Sequence, residues 1–163
     1  MIAHVLLTAN SINASVVLQD NSVPADKIDL TTLRLADASV TSILTTASTS
    51  YVQINSMTVT FTLTKTRKVA IRLYFPWIFT TGGAGYAYIS IWQGTVGSGT
   101  QVAEGLAYSS ASGDAYPGNV YREITLNAGT YTFNGGTKAT ASRTTNLNAA
   151  SSNPATMTVD IVK

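Results

Sequence analysis

The chain has 163 residues, no cysteine and a single histidine; 11% of its residues are charged and the formal net charge is +2. This excludes a disulfide framework, thiolate metal sites and thiol nucleophiles, and the length allows a core that needs no covalent or metal staple. The charged fraction is well below the roughly 25% of an ordinary domain, and Thr with Ser, about a quarter of the chain, takes the place of charge. Thr suits a pleated surface that is wet but uncharged, as on proteins that work outside cells or on particles.

Residues 1–35 read as an extended N-terminal arm. Asn10-Ser11-Ile12-Asn13-Ala14-Ser15-Val16-Val17 is echoed eleven positions later by Asn21-Ser22-Val23-Pro24-Ala25-Asp26-Lys27-Ile28. Pro24, the Asn-Ser pairs and the β-branched positions disfavour a helix of that period. Short extended pieces between turns fit better. They hold too few apolar residues to bury themselves, so Ile12, Val17, Val23, Pro24 and Ile28 are the expected attachment residues.

From residue 36 the pattern has period two and predicts about eight strands. Ser39–Thr46 is a weak strand. Val52 and Ile54, then Met57, Val59, Phe61 and Leu63, alternate with polar residues, and the phase break at Asn55-Ser56 predicts a bulge. Val69, Ile71, Leu73 and Phe75 form the next apolar face, with Pro76 expected to end ladder pairing. Tyr86–Trp92 and Gln101–Tyr108 are strands joined by the glycine loop Gln93–Gly99, and Ser109–Gly118 is a long polar loop. Val120, Arg122, Ile124 and Leu126 share a face. A turn at Asn127-Ala128-Gly129 leads into Thr130–Phe133 and a ragged continuation to about Thr145. After a loop at Asn146–Pro154, Met157, Val159 and Ile161 alternate in the last strand. No helix is predicted: the pattern is an all-β, antiparallel β-sandwich or jelly roll.

Little in this pattern carries catalysis. His4, in the arm, is the only histidine, so no Ser-His-Asp triad or His-rich zinc site is supported. Glu104 and Glu123 lie opposite the apolar neighbours of their strands and read as solvated. Asp114, in a Gly/Ser/Tyr loop, either caps a turn or meets a ligand. The loop Gly94–Thr100 lacks the Lys-Ser/Thr of a phosphate cradle and opens no helix. The expectation is no enzyme, no catalytic residue, no cofactor and no metal. Lys65, Arg67 and Lys68 are the only basic cluster, too short for a nucleic-acid footprint. No stretch approaches the ~20 apolar residues of a membrane-spanning helix.

The aromatic residues are the candidates for recognition. Trp77, Tyr86, Tyr88, Trp92, Tyr108, Tyr116 and Tyr121 sit on strands or at loop edges beside polar or glycine neighbours. With Asp114 they form the candidate recognition surface, Tyr116-Pro117 being its expected tip. Packing between subunits and binding of a glycan or protein both account for such residues.

The phrase Leu126-Asn127-Ala128-Gly129-Thr130-Tyr131-Thr132-Phe133, late in an eight-strand chain that ends in alternating Val and Ile, resembles the TNF/C1q-like jelly-roll heads of phage fibre, head-fibre and decoration proteins. Gly129 supplies the special φ of the turn, Leu126 and Phe133 point inward, and Tyr131 packs across the corner with its hydroxyl on backbone. The repeat in the arm is similar to those in phage stalks, where three chains lie side by side. The resemblance implies a homotrimer on the virion surface, made in the host cytoplasm, its residues 36–163 forming the head and its arm docking on capsid or other virion proteins. About 35 residues ahead of the head, extended at ~3.3 Å each, span little more than ~100 Å. That favours a short capsid decoration or head fibre; the alternative is a receptor-binding tail-fibre or tail-tip head recognising a host-surface glycan.

Overall fold

The computed structural model describes residues 33–162. The arm residues Ile12, Val17, Val23, Pro24 and Ile28, His4 and the eleven-residue repeat lie outside them. Ten strands follow in order: β1 (Leu33–Val40), β2 (Leu44–Thr46), β3 (Val52–Leu63), β4 (Arg67–Thr81), β5 (Gly85–Gln93), β6 (Thr100–Ser109), β7 (Tyr116–Leu126), β8 (Gly129–Ala139), β9 (Thr144–Asn148) and β10 (Ala155–Val162).

Their pairing is nested. β1 pairs with β10, β2 with β9, β3 with β8, β4 with β7 and β5 with β6, all antiparallel. The described chain is therefore one long hairpin whose tip is the β5–β6 loop. Rolled up, it gives a six-stranded sheet (β1, β10, β4, β9 and β2, with β7 on the free side of β4) over a four-stranded sheet, β3-β8-β5-β6. This is the antiparallel jelly-roll sandwich that the alternation predicts.

Period-two alternation sends Val69, Ile71, Leu73 and Phe75 of β4 and Ala87, Ile89 and Ile91 of β5 into one core, where Met57, Phe133, Leu147 and Met157 join them. Each large side chain so buried contributes about 1.5–3 kcal/mol. The phase break in β3 sits where its register against β8 shifts between Gln53 and Thr58, and Ser56 there has φ 62°.

Four boundaries differ from the sequence reading. The predicted strand Ser39–Thr46 is two strands, β1 and β2, because its partner changes from β10 to β9 between Val40 and Leu44; β1 also begins at Leu33, ahead of residue 36. Pro76 does not end its strand. β4 runs on to Thr81, with Pro76 at the point where β10 pairing stops (Tyr74), β9 pairing starts (Trp77) and the register against β7 shifts, so the missing N–H costs no rung. Tyr116–Gly118 belongs to β7 rather than to a loop. A Cβ on Gly118 would stand 2.6 Å from Ile78 Cδ1, so glycine here permits close sheet packing and is not loop punctuation. Thr144–Asn148 forms β9, since buried Thr145 and Leu147 alternate with the half-buried Thr144, Asn146 and Asn148.

Candidate functional site

On β5 the core-facing residues alternate with Tyr86, Tyr88, Ser90 and Trp92, which turn to the outer face of the four-stranded sheet. The register sets Tyr86 opposite Tyr108 and Tyr88 opposite Leu106 on β6, with Lys138 of β8 on the other flank of Tyr88. A continuous row results. The Tyr86 and Tyr108 ring centroids are 5.0 Å apart, and Tyr86 and Tyr88 are 6.1 Å apart. Lys138 Nζ lies 4.6 Å from the Tyr88 centroid and 4.4 Å from that of Tyr51, just ahead of β3. Tyr51 then meets Trp92 edge-on at 5.4 Å.

The two ends of this row differ. Tyr86, Leu106 and Tyr108 are exposed. At the other end, Trp92 is buried and its indole N–H donates to Ser90 Oγ at 2.7 Å, while Ser90 donates to the Gly136 carbonyl. Between them Glu104 accepts hydrogen bonds from the Tyr51 hydroxyl and from Gln101 Nε2 (3.0 Å), with Lys138 Nζ at 3.9 Å. Burial of Glu104 opposes its ionisation, but the Tyr51 and Gln101 hydrogen bonds and the Lys138 charge together hold its carboxyl below the ordinary value. Burial, reinforced by the Glu104 hydrogen bond and charge, pushes the Tyr51 phenol far above its usual value. The cluster is internally satisfied, and the exposed apolar part of the face is its Tyr86–Leu106–Tyr108 end.

The sequence candidates therefore do not form one site. Tyr86, Tyr88 and Tyr108 come together, but Trp92 is not a surface residue: it is buried, with the Tyr51 ring packed edge-on against it. Trp77 lies on the six-stranded sheet, paired with Asn148. Tyr116 starts β7 and is exposed. Asp114 caps its own loop, its carboxylate accepting from the Ser110 hydroxyl and from the Ala111 N–H at 3.0 Å. Tyr121 stands on the outer face of the six-stranded sheet, its hydroxyl 2.5 Å from Glu123 and its ring 5.6 Å from the Arg72 guanidinium. In the turn phrase Leu126 and Phe133 are buried, Gly129 has φ 153°, and the Tyr131 hydroxyl donates to the Asn127 carbonyl at 3.1 Å. Tyr51, Leu106 and Lys138 were not singled out by the sequence. Lys138 and Tyr51 come from segments distant from β5, so only strand register reveals them.

Among the described residues, no three His, Cys, Asp or Glu side chains gather as a metal site. No protein-family model matches the chain, and no curated protein matches it. Solved structures are similar at low identity, two of them as follows. A CocE/NonD-family hydrolase from Staphylococcus aureus aligns over 80% of this chain at 9% identity and TM-score 0.47, and this chain spans 37% of the hydrolase. The Eiger TNF of S. frugiperda aligns over 80% of this chain and 93% of its own at 8% identity and TM-score 0.46. Likenesses at this level assign no activity. The class rests on the strand pairing itself: an all-β, antiparallel jelly-roll sandwich.

Proposed function

We propose that this chain is the non-enzymatic head of a short trimeric appendage on a tailed-phage particle, docked through its N-terminal arm. One observation carries the self-association. Of eight large apolar side chains exposed on the described surface, five (Tyr86, Leu106, Tyr108, Tyr116 and Tyr121) lie on the consecutive strands β5, β6 and β7. β6 and β7 are the end strands of their sheets and pack beside each other, so apolar surface gathers around one open side of the sandwich. An unpaired strand edge flanked by such surface favours cover by another chain, and a head-to-tail contact that closes after three copies supplies it symmetrically. The phage-particle assignment is supported by the turn phrase at Leu126–Phe133 and by the Thr- and Ser-rich, charge-poor composition.

Sedimentation velocity on the full chain tests the assembly. A trimer at micromolar concentration is expected, and Leu106→Lys combined with Tyr108→Lys should give folded monomers with an unchanged far-UV spectrum, whose unfolding temperature falls and no longer depends on protein concentration. A wild-type monomer overturns the proposal. Immunogold labelling of purified particles tests the location: label on the capsid is expected, label at the tail tip shifts the role to receptor binding, and unlabelled particles refute both.

A further inference from the structure

We infer that the notch beside the β5–β6 loop is a binding site for a neutral saccharide. The notch arises because β8 is longer than its neighbour. Pairing between β5 and β8 ends at Gln93 opposite Phe133, while β8 continues to Gly129 along β3. Beyond that point Gly94 alone reaches across, its N–H donating to the Thr132 carbonyl at 3.0 Å and its carbonyl accepting from Asn134 Nδ2 at 2.8 Å. In an antiparallel strand the backbone groups of residues two apart point the same way, so the Thr130 N–H and C=O open towards the space β5 has vacated.

That space is a groove of about 430 Å³, within the range of small-ligand sites. Its lining carries no charged side chain. Thr130 and Thr132 hydroxyls are tied to Thr62 and Thr60 at 2.9 Å each and form a fixed wall. Gln93, Ser98 and Thr100 make no side-chain hydrogen bond among the described residues, so an amide and two hydroxyls remain available as paired donors and acceptors. Tyr131 adds an aromatic ring whose hydroxyl is held by Asn127, and whose position is fixed by Phe61 at 6.0 Å.

The opposite wall is preorganised. Thr95 O accepts from the N–H groups of both Ser98 and Gly99, and a Cβ on Gly99 would lie 2.4 Å from Gln93 O and 2.8 Å from Thr95 O. A Cβ on Gly94, by contrast, would meet nothing within 4 Å, so a ligand can approach this backbone closely. Uncharged donors and acceptors in balance, beside one ring, match the hydroxyls and C–H faces of a sugar. They do not match a phosphate or sulfate, which calls for a cation or several converging N–H groups. An added peptide strand needs a run of open backbone, and here only Thr130 is free between the Gly94 contact and the Gly129 turn.

The test is a glycan array of neutral oligosaccharides with sialylated and sulfated counterparts, followed by titration of each bound sugar into the full chain. Binding of neutral sugars is expected, weakened about tenfold by Gln93→Ala and abolished by Thr100→Trp, which fills the groove, with the unfolding temperature of both variants unchanged. Three results overturn the inference: no neutral sugar bound, only anionic sugars bound, or binding that survives Thr100→Trp but is lost in Tyr86→Ala with Tyr108→Ala. The last would place recognition on the aromatic row and so count against that row as the trimer contact, whereas the first two leave the trimer untouched.

Discussion

Replacing Tyr51 by Phe removes one hydroxyl and leaves the ring, its edge-on contact with Trp92 and its Lys138 cation in place. What is lost is the hydrogen bond to the Glu104 carboxylate. Such bonds to a charged group contribute about 1.5–3 kcal/mol, but the Glu104 side chain keeps 37% of its surface in water, and solvent screening reduces the expected loss to about 1 kcal/mol. With a urea slope near 2 kcal/mol/M, the unfolding midpoint should fall by roughly 0.5 M at neutral pH, the slope staying the same. The pH dependence separates this cause from a packing defect. Glu104 has a lowered folded pKa, so its contribution is present above the unfolded value of 4.5 and is lost as pH falls through the folded value beneath it. Tyr51 has a raised folded pKa, so its contribution is complete below the unfolded value of 10.0 and declines as pH rises beyond it. The wild-type advantage should therefore form a plateau through the neutral range and shrink at both ends. Urea titrations from pH 3 to about pH 11 read it directly. An advantage as large at pH 3 as at pH 7 would refute the hydrogen-bond account.

Gly99→Ala forces a methyl against two backbone carbonyls that cannot swing aside, so a loss near the upper end of the ~1–3 kcal/mol overpacking range is expected in urea unfolding; a loss under about 0.5 kcal/mol would show that the β5–β6 loop is soft. Phe133→Ala empties a fully buried site stacked 6.0 Å from Phe61 and should cost roughly 3–5 kcal/mol, read by thermal or urea unfolding. Tyr131→Phe frees the Asn127 carbonyl at an exposed corner and should cost about 1 kcal/mol or less, with faster amide exchange confined to the β7–β8 turn; exchange spreading into β3 would assign Tyr131 a core role instead.

The alternation of β3, β4, β5 and β10 made the sandwich legible, because a half-buried strand writes its inner face into every second residue. The Leu126–Phe133 phrase likewise carried its own turn, with Gly129 and Tyr131 acting within four residues of Asn127. Where tertiary partners decide, the sequence was silent. Pro76 and Gly118 read locally as breaks, yet each fills a place set by a neighbouring strand: Pro76 a change of partners, Gly118 a gap under Ile78 and Ile89. The outward tyrosines of β5 showed in the period, but the Lys138 ammonium between two of the aromatic rings follows from a register that spans fifty residues. The groove is further from view still, since it exists only because β8 outruns β5.

The two outer faces differ in kind, and that difference decides how assembly should answer to salt. Arg34–Asp160 and Lys68–Glu123 pair on the outer face of the six-stranded sheet, near Arg72, while the exposed end of the four-stranded sheet presents Tyr86, Leu106 and Tyr108. A contact made through charged pairs weakens as the Debye length contracts from about 10 Å at 0.1 M salt to about 3 Å at 1 M. Burial of apolar surface is not screened in this way. If Tyr86, Leu106 and Tyr108 of β5 and β6 supply the contact, the trimer's dissociation midpoint, followed by sedimentation equilibrium across that range, should stay constant or tighten. A weakening of about tenfold or more would mean that the ion pairs of the six-stranded sheet form the interface, and the aromatic end of the other sheet would then be free for a different partner.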